Sequence, residues 1–238
     1  MTASATLDLR NAASGLTGGS SLRMAGAAVA LGSLGVTITS VLYALSPPAT
    51  VLPAQPFDQG LALAGAAMAA PTMLAAGTIG IFSDMVFAVG TLLLTLELAR
   101  RGRGLAVAGW IAILLSIVVF IFVDAIVGYV LGPVAAMTDG AGAFVAFKRL
   151  FDALFLLGTA AFGAGAMLAM LADMQSAAPL ASKPVALAGV SAGLLALLTA
   201  GACFAGLPFE QGVGISIGLG SAIFAALGLQ IVVKPLEA

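Results

Sequence analysis

The chain has 238 residues, of which 61% are hydrophobic and 8% charged, with a formal net charge of −1 and a mean hydropathy of +1.17. A soluble domain carries about 25% charged residues, so this composition excludes a water-soluble fold, and the lack of a basic tract excludes nucleic acid as a partner. No histidine occurs, which removes bis-histidine haem, the usual zinc and copper sites and histidine general-base chemistry; neither a metal nor a cofactor is expected.

Residues 1–23 are rich in Ser, Gly, Ala and Thr and read as a flexible tail, followed by one transmembrane unit over 24–234. A crossing needs roughly 20 apolar residues, and six stretches qualify: about 24–46, 71–98, 105–131, 144–172, 184–206 and 211–233. The first is too long for the apolar region of a signal peptide and is read as a retained anchor. Between spans lie Pro47-Pro48 to Pro56, Arg100-Arg101-Gly102-Arg103, Gly132-Pro133 to Gly142, Ser176 to Pro184 and Gly206-Leu207-Pro208. Proline and glycine punctuate helices. Pro71 is expected to separate 57–70 from the second span as a short interfacial helix, with a re-entrant turn as the other form.

Lys and Arg flank the spans unevenly. Arg10, Arg23, Arg100, Arg101, Arg103, Lys183 and Lys234 fall on one side, against Lys148 and Arg149 on the other. The positive-inside rule then places both termini in the cytoplasm. The expected fold is an all-α, polytopic transmembrane helical bundle of about six spans, in a cell membrane and specifically a bacterial inner membrane. Trp110 and Tyr129 sit where the two aromatic belts are expected. Glu97 pairs by spacing with Arg100 and Arg101 at a solvated helix end. Cys203 stands alone in an apolar setting, which predicts a packed thiol.

The second and fourth spans share Asp84-x-x-Phe87-x-x-Gly90-Thr91 and Asp152-x-x-Phe155-x-x-Gly158-Thr159. The spans after them share Ala106-x-Ala108-Gly109-x-x-Ala112 and Ala186-x-Ala188-Gly189-x-x-Ala192. Their order suggests a duplicated helical hairpin, spans 2–3 and 4–5, entering from the same side. Arg23-Met24-Ala25-Gly26 at the first span, an acid in the second, the basic turn after it, Gly163-x-Gly165 and Pro184-x-x-x-x-Gly189 together resemble a family of six-span bacterial membrane proteins of unassigned activity (domain of unknown function 4386). The resemblance covers about 23–206. It implies the topology and supplies no catalytic residues.

Five ionisable residues fall inside spans: Asp84, Asp124, Lys148, Arg149 and Asp152. Each costs roughly 2.5–3.5 kcal/mol at a helix centre. At ~1.5 Å per residue, Asp124, Asp152 and Asp84 lie about 10, 12 and 20 Å from the outer surface. Lys148 and Asp152 are spaced to pair, and Arg149 is expected to reach Asp124 or Asp84 across helices. These five are the candidate ligand or ion site, as one polar cluster between spans two, three and four, with Thr91, Thr95 and Thr159 as its supporting polar face. The competing reading is an ion network that only fixes helix register. Gly189-x-x-x-Gly193 and Gly214-x-x-x-Gly218 are small-residue faces expected to pack helices closely.

No P-loop, nucleophile elbow or zinc-ligand spacing occurs, so no catalytic residue is expected. The leading expectation is a non-catalytic membrane component that binds a hydrophobic or lipid-like ligand or serves as a subunit of a larger membrane complex. The bilayer is its first partner, with a homo-oligomer or other membrane subunits as further ones. The alternative is a small-solute or proton-coupled transporter using the intramembrane aspartates, and an intramembrane enzyme ranks last.

Overall fold

The computed structural model describes residues 18–45 and 59–233; most of the expected tail, the Pro47-Pro48 to Pro56 connection, Arg10 and Lys234 lie outside them. Six helices are long and apolar enough to cross a membrane, and no strand occurs among the described residues. They are α1 (Gly18–Ala44), α2 (Gln59–Arg100), α3 (Gly104–Ile126), α5 (Ala141–Met174), α6 (Lys183–Phe204) and α7 (Glu210–Val233). Between α3 and α5, a π-helical turn (Val127–Leu131) and the short α4 (Gly132–Ala135) extend the third span. The protein is an integral membrane protein with an all-α, six-span bundle.

Neighbours in sequence are neighbours in space: α1, α2, α3, α5, α6 and α7 pack in that order, and α7 returns to α1, closing a ring. Large apolar side chains such as Leu31, Phe82, Leu115 and Leu198 remain exposed on its outside. Helices apolar all round suit this setting, since one face meets neighbours and the other meets lipid tails.

Small residues set the approach of each pair. A Cβ on Gly163 would lie 2.7 Å from the Gly193 carbonyl oxygen, and the reverse contact is the same; this joins α5 to α6. A Cβ on Gly77 would lie 2.5 Å from the Asp124 carbonyl oxygen, which joins α2 to α3.

Two proline expectations are overturned. Residues 59–70 are neither a separate interfacial helix nor a re-entrant turn: α2 runs unbroken through Pro71. Ala62, Ala66 and Ala69 are buried there, and Gly132 abuts Ala70. Likewise the third span continues through Gly132-Pro133 to Ala135. A proline removes one helical hydrogen bond and crowds the carbonyl four residues earlier. The π-helical turn widens the helix around Tyr129, the residue that Pro133 would crowd. Packing on a neighbouring helix offsets the remaining cost. At ~1.5 Å per residue α2 is about 63 Å long, so its first turns rise beyond a hydrocarbon core of about 30 Å.

Trp110 is not in an aromatic belt. It is 3% exposed and meets Phe224 edge-on at 5.4 Å. Tyr129 is about half exposed, and its hydroxyl lies 2.9 Å from that of Thr78. Cys203 is only partly buried at the end of α6.

At the basic end, Glu97 accepts from Arg101 at 2.9 Å and lies 3.7 Å from Arg100, but the carboxylate itself is buried rather than solvated. Asp173 ties two turns together. Its oxygens accept from the backbone N–H groups of Leu180 and Ala181, both at 2.8 Å, and lie 3.6 Å from Arg103 Nη1. Hydrogen bonds to a charged group contribute about 1.5–3 kcal/mol. Asp173→Ala is therefore expected to destabilise the protein by about 2–3 kcal/mol, read as a lower unfolding midpoint in mixed micelles; an unchanged midpoint would show the turn is held by packing alone.

Candidate functional site

The site begins at two close helix crossings. A Cβ on Gly32 would run into the Phe87 backbone, and one on Gly35 into Ser83, so the outer half of α1 lies against α2 beside Asp84. On the other side of α2, the missing side chain of Gly80 makes room for the Asp124 carboxyl group from α3. Gly80 and Asp84 are one turn apart on α2, so the two crossings bring Asp84 and Asp124 close enough to interact electrostatically.

Both carboxyls are buried, Asp84 at 2% and Asp124 at 6% exposure. The Tyr43 hydroxyl of α1 donates to Asp124 Oδ1 at 2.7 Å. Asp84 Oδ2 is buried with no hydrogen-bond partner. Buried polar oxygens are almost always partnered, and this one is an exception.

A cavity of about 640 Å³ opens on this pair, with walls from α1, α2, α3, α5 and α7. It reaches from Tyr43 and Glu210, at the outer ends of α1 and α7, inward to Asp84. One wall is aromatic: Phe120 and Phe155 have centroids 6.0 Å apart, and Phe151 stacks on Phe155 at 5.7 Å. One turn past Asp84 toward the basic end, Phe224 gathers Phe87 at 6.0 Å, Trp110 at 5.4 Å and Phe162 at 5.5 Å. These rings fill the middle of the ring of helices below the cavity.

The five expected charges form two groups rather than one cluster. Asp84 and Asp124 line the cavity with Tyr43. Lys148 pairs with Asp152 on its own helix, as the spacing predicts, and neither lines the cavity. Arg149 reaches neither Asp84 nor Asp124; it points to the exposed surface of α5. A residue one position from Lys148 is turned ~100° away around the helix, so the two bases cannot serve one interior site. Among the described residues the lining therefore contains Asp84, Asp124 and Glu210 and neither lysine nor arginine.

The supporting threonines stand apart from the cavity. Thr95 and Thr159 donate to the Thr91 and Phe155 carbonyls of their own helices, each at 2.7 Å, and Thr91 is fully buried deeper along α2. Gly189 packs on the Met170 side chain and Gly193 on Gly163. Gly214 and Gly218 do not form a close seam. A Cβ on Gly214 would meet nothing within 4 Å, one on Gly218 would stop 3.5 Å from Ser40 Cβ, and both glycines line the cavity. Here the missing side chains leave space instead of admitting a neighbouring backbone.

Tyr43 is absent from the sequence expectation, although a tyrosine near the end of a span needs a partner for its hydroxyl once buried. The aromatic wall was hidden for a different reason, because apolar rings in an apolar span give no contrast. No family model, no curated protein and no solved structure matches the chain.

Proposed function

We propose that the protein is a non-catalytic component of a bacterial inner membrane, with cytoplasmic termini, that binds a hydrophobic or lipid-like ligand between its helices. One observation carries the reading: a mainly apolar cavity of about 640 Å³ holds a buried carboxyl oxygen, Asp84 Oδ2, that has no partner. Ligand sites are typically 300–1,000 Å³, mostly apolar, with a few placed polar groups. A chain that served only to hold other subunits together would have no use for such a space.

The test is extraction in mild detergent followed by native mass spectrometry. A bound small molecule is expected with the wild-type protein and is expected to be lost from Gly214→Phe. That variant adds a ring where a Cβ meets nothing and replaces a helix glycine with a better helix former, so folding should be preserved. A clean, ligand-free monomer from the wild type would overturn the reading; a retained protein partner without ligand would favour the subunit role.

The unpartnered Asp84 also supports a second reading, a proton-coupled or small-solute transporter. In proteoliposomes that reading expects Asp84→Asn to abolish pH-dependent uptake while the protein stays folded; unchanged flux would end it.

A further inference from the structure

The chemistry of the lining narrows the ligand further, and this step rests on the ligand-binding reading above. We infer that the occupant is an amphiphilic organic cation, a single ammonium group on an apolar body, which enters sideways from the bilayer between α1 and α7 and sets its charge at Asp84.

The charge follows from what the cavity offers. Asp84, Asp124 and Glu210 line it without a lysine or arginine among the described residues. Lys148 lies over the ring of Phe151, 5.1 Å from its centroid, is already paired with Asp152 and does not line the cavity. A phosphate or carboxylate headgroup would meet acids with nothing to neutralise it. The Tyr43 hydroxyl is committed to Asp124 Oδ1, and Asp84 Oδ2 is a buried acceptor without a donor on a residue of the lining. An ammonium group supplies that donor and the opposite charge together. Phe120 and Phe155 add aromatic surface to the lining, and aromatic rings attract cations, whereas the Phe151 ring is already taken by Phe155 and Lys148.

The apolar body follows from the remaining lining. Besides Tyr43, the α1 side carries the hydroxyls of Thr37, Thr39 and Ser40, each of which donates to a carbonyl one turn back on α1, at 2.9, 3.1 and 2.9 Å. Their protons are thus already used, and the one further neutral polar side chain of the lining is Gln211, next to Glu210 at the end of α7. A bare metal ion would lose its hydration shell and gain too few oxygens in return.

The route follows from how the α1–α7 seam changes along its length. Toward the basic end it is closed: a Cβ on Gly228 would lie 2.5 Å from the Ala30 nitrogen, and one on Gly26 would lie 2.7 Å from the Ile231 side chain. Toward the outer end it loosens, to 3.5 Å from a Cβ on Gly218 to Ser40 and to open space at Gly214. Along this looser stretch Val41, Ile215 and Leu219 line the cavity and are 53%, 57% and 52% exposed. The rim of the acid-bearing space is thus apolar where the seam stands open. Below, the rings around Phe224 block onward passage, so the space is a dead end suited to holding its occupant.

The experiment uses the full chain in nanodiscs of zwitterionic lipid, titrated calorimetrically with dodecylammonium or with dodecanol, and with empty nanodiscs subtracted. Dodecylammonium is expected to bind saturably and at least tenfold more tightly than dodecanol, and Asp84→Asn is expected to erase that margin while leaving dodecanol binding unchanged. Equal binding of the two by the wild type, or a margin that survives Asp84→Asn, would overturn the cation assignment alone. Saturable binding of neither would overturn the ligand-binding reading beneath it.

For the route, Ser40→Cys with Gly218→Cys places two Cβ atoms about 3.5 Å apart, within disulfide range. The oxidised protein is expected to bind dodecylammonium at least tenfold more weakly within the titration, and reduction of the same sample should restore it. Binding indifferent to the cross-link would overturn sideways entry. Should the cross-link not form, loss of binding in Gly214→Phe is expected in its place, and retained binding there counts against the route equally.

Discussion

Asp152→Leu is expected to destabilise the protein by about 3–5 kcal/mol, and adding Lys148→Met is expected to recover most of that loss. The Lys148 side chain is 1% exposed and Asp152 is 16% exposed. Removing the acid leaves an ammonium group in an apolar interior, over the Phe151 ring. Removing both charges takes away the attraction and the desolvation cost together, and apolar replacements fit the site. The sign of the coupling identifies the role of the pair. If it fixes how α5 docks, the double variant regains stability and keeps ligand binding, because neither residue lines the cavity. Unfolding in mixed micelles measures the four-variant cycle. A double variant as unstable as the single would mean that the charges hold something beyond each other.

Much of the fold was legible because a bilayer makes one demand that a sequence states openly, enough consecutive apolar residues to cross it. The third, fifth and sixth spans begin at Gly104, Lys183 and Glu210, each one residue from its expected start. Expectations failed where a local rule met a tertiary setting. Pro71 and Pro133 mark breaks in an isolated helix, but α2 and the third span, through its π-helical turn into α4, are packed along those turns and run on. Trp110 has the polar tip of a belt residue, yet its ring is buried edge-on against Phe224.

The site was legible in proportion to chemical contrast. Asp84 and Asp124 stand out among apolar neighbours, and the Lys148–Asp152 pair needs only helical spacing. What joins Asp84 to Asp124 is a crossing at Gly80, and what binds Asp124 is a tyrosine 81 residues away. Neither relation has a local signature. The glycines illustrate the same limit. Gly193 and Gly214 read alike in sequence, both belonging to a small-x-x-x-small face, but one meets the carbonyl of Gly163 and the other meets open space.

That difference between glycines yields a prediction of opposite sign for one and the same change. Gly228→Ala is expected to destabilise the protein by about 1–3 kcal/mol, and Gly228→Leu to prevent recovery of a monodisperse protein. A Cβ there lies 2.5 Å from both the Ala30 nitrogen and the Gly26 carbonyl oxygen, and backbone atoms cannot rotate aside as a flexible side chain can. The contact joins the last helix to the first, so relieving it means parting α1 from α7 where the ring closes. Gly214→Ala, about four turns earlier on the same α7, meets nothing and should be neutral or stabilising by up to about 1 kcal/mol, from helix propensity alone. Unfolding midpoints of the two alanine variants in the same micelles decide the matter. The fold requires this opposition, because a seam firm at Gly228 is what lets the outer half of α7 stand away from α1 and keep the cavity open. If Gly228→Ala proves as harmless as Gly214→Ala, the ring is not held shut at its basic end, and the contrast between closed and open stretches of the seam loses its foundation.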